Sequence, residues 1–233
     1  VREQNENGAH HIKLLLESGV RPSPIGRRFA KGQTNFTREE LEAAVDEAHR
    51  LGLKVTAHAS GDAIRAALEA GADSITHGEE LTPDLINLLR QRNTGIVVTH
   101  TVGFSRYFPD RWRFAGQTAS AREWLDGWRQ AMAKARKADA AKEQSVQARF
   151  KDLRAAKDAG VLIAAGTDNG PGLVQMELEF LVEAGFTPLE AIAAGTGVTA
   201  KLLSIDDEVG TIQKGRFADI IAVAGKPDQS IRD

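Results

Sequence analysis

The sequence contains no cysteine, and this absence limits the chemistry that the protein can carry. No disulfide can form, and a bound metal ion has to be held by nitrogen and oxygen ligands instead of thiolates. Histidine, the usual nitrogen ligand, occurs six times. The composition therefore leaves imidazole and carboxylate groups as the ordinary candidates for a metal site.

A strong charge imbalance and a long apolar run are also absent. The formal net charge is −2, which gives no electrostatic reason to invoke nucleic acid or an anionic membrane. No stretch approaches the ~20 consecutive apolar residues of a membrane span. No signal peptide is visible, although the chain does not begin with Met. The composition predicts a soluble globular protein without nucleic-acid or membrane partners, and it leaves the compartment open.

Short apolar runs alternate with amphipathic segments along the chain. The runs are too short for helices and are predicted to be strands, at 11–16, 54–58, 74–77, 95–100 and 161–165. The intervening helices are predicted at 37–52, 62–70, from 82, within 120–159, near 174–184 and from 187 to about 203. Thr37, Thr82 and Thr187 have the spacing of helix N-caps. This alternation is typical of a parallel sheet with helices outside it.

Chemically capable side chains recur where the predicted strands end. His58, His77, His100 and Asp168 close four of the runs, and Lys13 lies inside the first. Because alternate side chains of a barrel strand point inward, these five residues are predicted to face one bowl. In a parallel barrel, the carboxyl ends of the strands carry the chemistry.

Histidine and aspartate together suit Zn²⁺ or a similar divalent ion. Such an ion lowers the pKa of bound water to ~7 and polarises a carbonyl oxygen. Asp168 is placed to take a proton from that water and to deliver it to a leaving amine. For each residue taken singly, the alternative is a hydrogen-bonded core histidine or a turn aspartate. That alternative is the interpretation adopted for His10, His11 and His49.

Four short motifs resemble the metal-dependent amidohydrolase superfamily, in its imidazolonepropionase-like and Xaa-Pro dipeptidase-like branch. They are His-Ile-Lys at Lys13, Thr-Ala-His-Ala at His58, Ile-Thr-His-Gly at His77 and Gly-Thr-Asp at Asp168. The resemblance implies a binuclear site, expected to hold Zn²⁺, in which CO₂ carboxylates Lys13 and the carbamate bridges the two ions. It assigns one ion to His58 and His77. Asp168 then binds the other and acts as general acid and base.

The resemblance also implies a fold and a departure from it. Residues 1–205 correspond to the C-terminal part of a (β/α)₈ TIM barrel, strands four to eight. Residues 206–233 resemble the return segment into a small β-sandwich subdomain, and short strands separated by glycine are predicted over 209–223. The His-x-His pair of the family's first strand does not occur here. The expected partner is therefore a complementary N-terminal segment or, in a homo-oligomer, a further copy, because an open barrel leaves two unpaired strand edges.

The activity implied is hydrolysis of an amide bond in a dipeptide or N-acyl amino acid by metal-activated water. His100 is predicted to contact the substrate carbonyl. Arg106 and Tyr107, in an aromatic and basic loop over 103–116, are predicted to meet the substrate carboxylate. Two alternatives remain open at this point: a cyclic amide or lactone as substrate of the same site, and a non-catalytic fragment that needs a missing N-terminal half.

Overall fold

The computed structural model describes residues 1–17, 34–101, 140–168 and 173–233, together with residues 123, 126, 127 and 130. Strands and helices alternate along these residues as far as the fifth strand, which is followed by three helices. The strands are β1 (His11–Leu15), β2 (Lys54–Ser60), β3 (Ser74–Glu79), β4 (Gly95–Val98) and β5 (Ile163–Ala165). The helices are α1 (Arg2–Glu6), α2 (Arg38–Arg50), α3 (Asp62–Ala70), α4 (Pro83–Arg92), α5 (Ala140–Asp158), α6 (Val174–Glu183), α7 (Pro188–Ala194) and α8 (Gly197–Leu203).

The five strands form one parallel sheet in the order of the sequence. A single row runs across it: His58 pairs with Leu15 on one side and with Thr76 on the other, and Thr76 pairs with Val97. Parallel strands in sequential order, each connected through helix, are the arrangement of a barrel wall. This confirms the predicted α/β class and is consistent with part of a barrel.

Alternate residues of the strands divide the sheet into two different faces. Ile12, Val55 and Ile75 are buried in the core against the helices. On the opposite face Lys13 is exposed and His58 is half-buried. The face that carries the candidate site residues is therefore the more accessible one.

Helix starts follow the local sequence signals. Thr37 and Thr187 form capping boxes, in which the threonine side chain accepts from the backbone of the third helical residue, Glu40 or Glu190, and the Glu side chain accepts in return. Thr82 caps α4, and Pro83 occupies its first turn. Each cap satisfies backbone N–H groups that have no partner inside the helix.

The single helix predicted from 187 to about 203 is wrong, because the structure divides it into α7 and α8. Gly195 ends the first helix, and Thr196 has φ −132° and ψ −96°, which lie outside the helical region. Glycine on both sides of Thr196 lowers helix propensity at this point. Capping spacing identified the start of the segment but not this interruption.

The predicted short strands over 209–223 do not form in the structure, where residues 206–233 contain turns but no strand. A strand requires a neighbour for its N–H and C=O groups, and these residues pair with none of the five strands. Their apolar side chains stay exposed, with Ile212 at 81% and Ile221 at 86%. Membership of a β-sandwich stays a prediction. Among the described residues, no helix is both long and apolar enough to cross a bilayer.

Candidate metal centre

His58 and His77 approach each other at the carboxyl ends of β2 and β3. Their ring centroids are 4.3 Å apart, and the ring planes are inclined by 74°. His58 lies on the accessible face of the sheet, in the same row as Thr76. The two rings therefore bring two imidazoles to one end of two adjacent strands, as the sequence predicted.

His77 reaches this position for a reason that strand alternation does not supply. Its register partner is Ala59, which faces the helices, so regular alternation would turn His77 away from His58. The backbone of His77 instead has φ 75°, and the pairing of β2 with β3 shifts just after it. Left-handed backbone is uncommon for residues other than glycine and clusters at functional sites. The local break aims the imidazole at His58.

Asp168 approaches the same end of the sheet, three residues beyond β5. Its Oδ2 lies 3.8 Å from Nε2 of His77, and its side chain is 44% exposed. Asp168 also has a left-handed backbone, with φ 46°. Five non-glycine residues of the described chain have positive φ, and two of them are His77 and Asp168. Two of the predicted site residues thus have an unusual backbone conformation.

Electrostatics keep His77 neutral. Burial is the largest effect and lowers its pKa, and electrostatic interactions with His58 and Lys13 lower it further. The carboxylates of Asp168 and Glu79 partly oppose this, and the resulting pKa is about 4. A neutral imidazole offers a lone pair to a metal ion at pH 7.

The imidazole and carboxylate groups of the site suit a divalent ion chemically, although they do not all converge on one point. Nε2 of His77 is buried and has no hydrogen-bond partner, a costly state that a ligand would relieve. Among the described residues, however, no three histidine, aspartate or glutamate side chains are arranged as a metal site. The close contacts are pairwise, His58 with His77 and His77 with Asp168. Unmodified Lys13 is a cation and cannot provide the oxygen ligand predicted for it.

His100 lies in the core instead of on the accessible face. Its side chain is 4% exposed and packs against the rings of Phe150 and Phe180. Nδ1 of His100 lies 2.7 Å from Oε1 of Glu177. Its contact with a substrate carbonyl stays a prediction. Arg106 and Tyr107 lie outside the described residues.

Glu177 is a residue that the sequence reasoning missed. This carboxylate of α6 is fully buried and accepts from the backbone N–H of His100 at 2.9 Å and of Thr101 at 2.8 Å. The sequence signal is an acid among the apolar residues Met176 and Phe180, where a solvated side chain is not expected. Glu177 therefore anchors the end of β4 to α6.

Comparison with known proteins shows to which family the chain belongs. The sequence profile of the Amidohydrolase family matches residues 1–233. The chain belongs to the amidohydrolase family. It is 33% identical over 240 residues to ochratoxinase of Aspergillus niger, in a match that spans 100% of this chain and 44% of that protein.

Two solved structures resemble this amidohydrolase chain in fold. A Xaa-Pro dipeptidase with methionine bound in its active site has a TM-score of 0.73 and 30% identity, over 99% of this chain and 52% of that one. The ochratoxinase of A. niger has a TM-score of 0.75 and 31% identity, over 100% and 48%. The amidohydrolase chain thus spans about half the length of these relatives.

The buried Glu177 gives a prediction for stability. In Glu177→Gln the side chain keeps its size, but an NH₂ group replaces one accepting oxygen and faces a donor of His100 or Thr101. The free energy of unfolding is expected to fall by about 1–3 kcal/mol. Glu69→Gln, on the exposed surface of α3, is the control and is expected to stay within about 0.5 kcal/mol of the parent. Equal unfolding midpoints in urea for both variants would contradict the anchoring role.

The lowered pKa of His77 gives a prediction for pH dependence in the metal-free amidohydrolase. Between pH ~6.5 and about 4, the unfolded chain binds a proton at His77 that the folded chain does not. The free energy of unfolding should therefore fall as the pH drops through this range, by on the order of 1 kcal/mol per unit from this group. His77→Gln should lose that part of the dependence, and His10→Gln should keep it. Identical slopes for the two variants would refute the assignment.

Proposed function

We propose that this chain provides one part of an active site that hydrolyses an amide bond in a dipeptide or N-acyl amino acid with metal-activated water. The observation that carries the proposal is the buried, unpartnered Nε2 of His77, which lies beside His58 and 3.8 Å from the carboxylate of Asp168. Together, a neutral nitrogen donor and a partly exposed carboxylate suit a hydrolytic metal centre.

The relatives support an amide whose leaving group is an amino acid. One of the similar structures is a dipeptidase that holds methionine in its active site. An amino acid product carries a carboxylate group, which agrees with the predicted roles of Arg106 and Tyr107 as partners of a substrate carboxylate. His100 is assigned to the substrate carbonyl on the same proposal.

Each site residue has a defined task in the proposed reaction. His58 and His77 would hold one ion through their imidazole nitrogens, and Lys13, once carboxylated, would offer carbamate oxygens as further ligands. A bound divalent ion would supply an acidified water and a positive charge to stabilise the developing oxyanion. Asp168 accepts the proton of that water and returns it to the leaving amine, a transfer that its 44% exposure to solvent allows.

The proposal includes a partner for the open sheet. β1 and β5 are the two edges of the five-stranded sheet, and the face with Lys13 is accessible. A complementary N-terminal segment with the remaining strands and a His-x-His pair would complete both the barrel and the second metal position. Residues 206–233 would then pair within a small β-sandwich, and a homo-oligomer is the competing arrangement.

Metal removal and return on the complete protein tests this function. A panel of Xaa-Pro dipeptides, other dipeptides and N-acyl amino acids is compared with a lactone and a cyclic amide. Amide hydrolysis should disappear after treatment with a chelator and return with Zn²⁺, and its return should be slower in buffer freed of bicarbonate. Hydrolysis that is indifferent to the chelator would contradict the metal mechanism. Preference for the lactone or cyclic amide would contradict the substrate class.

A further inference from the structure

The ring of His77 is held from the neighbouring strand by a threonine to which the proposed function assigns no role. Thr99 follows β4 directly, is 2% exposed, and shares a hydrogen bond through Oγ1 with Nδ1 of His77. This contact lies on the opposite side of the imidazole from Nε2, the nitrogen that faces Asp168. The two ring nitrogens therefore have different surroundings.

We propose that Thr99 is a positioning residue that holds His77 in the tautomer with hydrogen on Nδ1, so that Nε2 presents its lone pair. A neutral imidazole carries one hydrogen, and the nitrogen that carries it donates. With hydrogen on Nδ1, the ring donates to Oγ1 of Thr99. The inference rests on the proposed function only where it assigns that lone pair to a metal ion.

The surroundings of Nε2 agree with this tautomer. A hydrogen on Nε2 would be expected to bond to the carboxylate of Asp168 at about 2.7–2.9 Å, as charged acceptors do. The observed separation of 3.8 Å is outside hydrogen-bond distance, and Nε2 has no other partner. Hydrogen on Nδ1 avoids leaving a buried donor unsatisfied, which costs more than a weak contact gains.

Thr99 lies in a segment that is itself anchored by hydrogen bonds, so it can orient the His77 ring. The two residues that follow it, His100 and Thr101, donate their backbone N–H groups to the buried carboxylate of Glu177. Oγ1 of Thr101 donates to the backbone oxygen of Thr167 at 3.0 Å, next to Asp168. One anchored segment thus contacts both the His77 ring and the turn that carries Asp168.

The His77 ring needs a hydrogen-bond partner to orient it, because the backbone of His77 is not that of a regular strand. With φ 75° and a register shift beside it, the ring direction is not fixed by the sheet. Partners that orient a ligating histidine through its second nitrogen typically change metal affinity by about 10–100-fold when they are removed. Thr99 has the position and the chemistry of such a partner.

The test uses three variants of the complete protein. Thr99→Val removes the hydroxyl with little change in shape, and Thr99→Ser keeps it. Thr94→Val is the matched control, because Thr94 is also buried and its hydroxyl donates to the backbone oxygen of Ala72 at 3.4 Å, before β4 begins. The first readout is the ¹⁵N spectrum of the His77 ring in the metal-free protein at pH 7, and the second is Zn²⁺ affinity by competition with a chromophoric chelator.

The parent, Thr99→Ser and Thr94→Val should all show hydrogen on Nδ1 of His77. Thr99→Val should lose this preference and bind Zn²⁺ about 10–100-fold more weakly. A parent protein with hydrogen on Nε2 would overturn the proposal even if Thr99→Val failed to fold, and so would an unchanged tautomer in Thr99→Val. A tautomer that depends on Thr99 in a protein without Zn²⁺ affinity would support the positioning role and contradict the proposed function.

Discussion

Asp168→Asn is expected to remove most amide hydrolysis while leaving the fold intact. An amide cannot accept the proton of the attacking water, and loss of a general base typically lowers turnover by about 10²–10⁴-fold. Asparagine tolerates the left-handed backbone at this position, where φ is 46°. Its side chain also matches the size of aspartate. The loss should therefore appear in kcat at constant thermal stability.

The control for this variant is Asp46→Asn, which makes the same chemical change on the exposed surface of α2. It should hydrolyse a dipeptide at the parent rate. Asp168→Asn should retain part of its metal, since the ion assigned to His58 and His77 does not depend on this carboxylate. If Asp168→Asn cleaved amides as fast as the parent, the assignment of Asp168 as the general base would be wrong.

His58→Gln is expected to act on metal content before it acts on chemistry. The variant removes one of two nitrogen donors whose rings lie 4.3 Å apart, so His77 is left as the only imidazole among the ligands proposed for that ion. Affinity should fall by at least the ~10–100-fold typical of losing a histidine's supporting partner. Metal analysis by mass spectrometry after dialysis should show substoichiometric metal, with hydrolysis reduced in proportion.

His10→Gln is the matched control, because His10 is exposed and precedes β1 at the other end of the sheet. It should keep the metal content and activity of the parent. Excess Zn²⁺ should restore part of the activity of His58→Gln but none of that of Asp168→Asn. Full metal content in dialysed His58→Gln would remove His58 from the ligand set.

The sheet and most helix boundaries could be predicted because their causes are local. Short apolar runs, threonine caps and glycine stops act within a few residues, and they placed five strands and the helices between them. The approach of His58, His77 and Asp168 followed from a rule of the fold, that parallel strands bring their carboxyl ends to one edge. Applying that rule required only the positions at which the strands end, and these could be predicted from the sequence.

The rest depended on contacts between distant residues or on a local break in regular structure. Glu177 is 77 residues from His100, and nothing in either segment indicates the other. Alternation predicted the correct direction for His77 for the wrong reason, since a left-handed residue and a register shift produce it. The missing strands of 209–223 show the same limit, because strand pairing needs a neighbour as well as a suitable sequence.

Hydrolysis by metal-activated water at this site requires the metal to bind at the predicted ligands. The most direct measurement is an anomalous difference map of the complete, active protein, recorded above and below the zinc absorption edge. The anomalous map should show one peak beside His58 and His77 and a second peak beside Asp168, and the electron-density map of the same crystal should show a carbamate on Lys13. Zinc bound elsewhere, or unmodified Lys13 with both histidines free of metal in an active crystal, would contradict it.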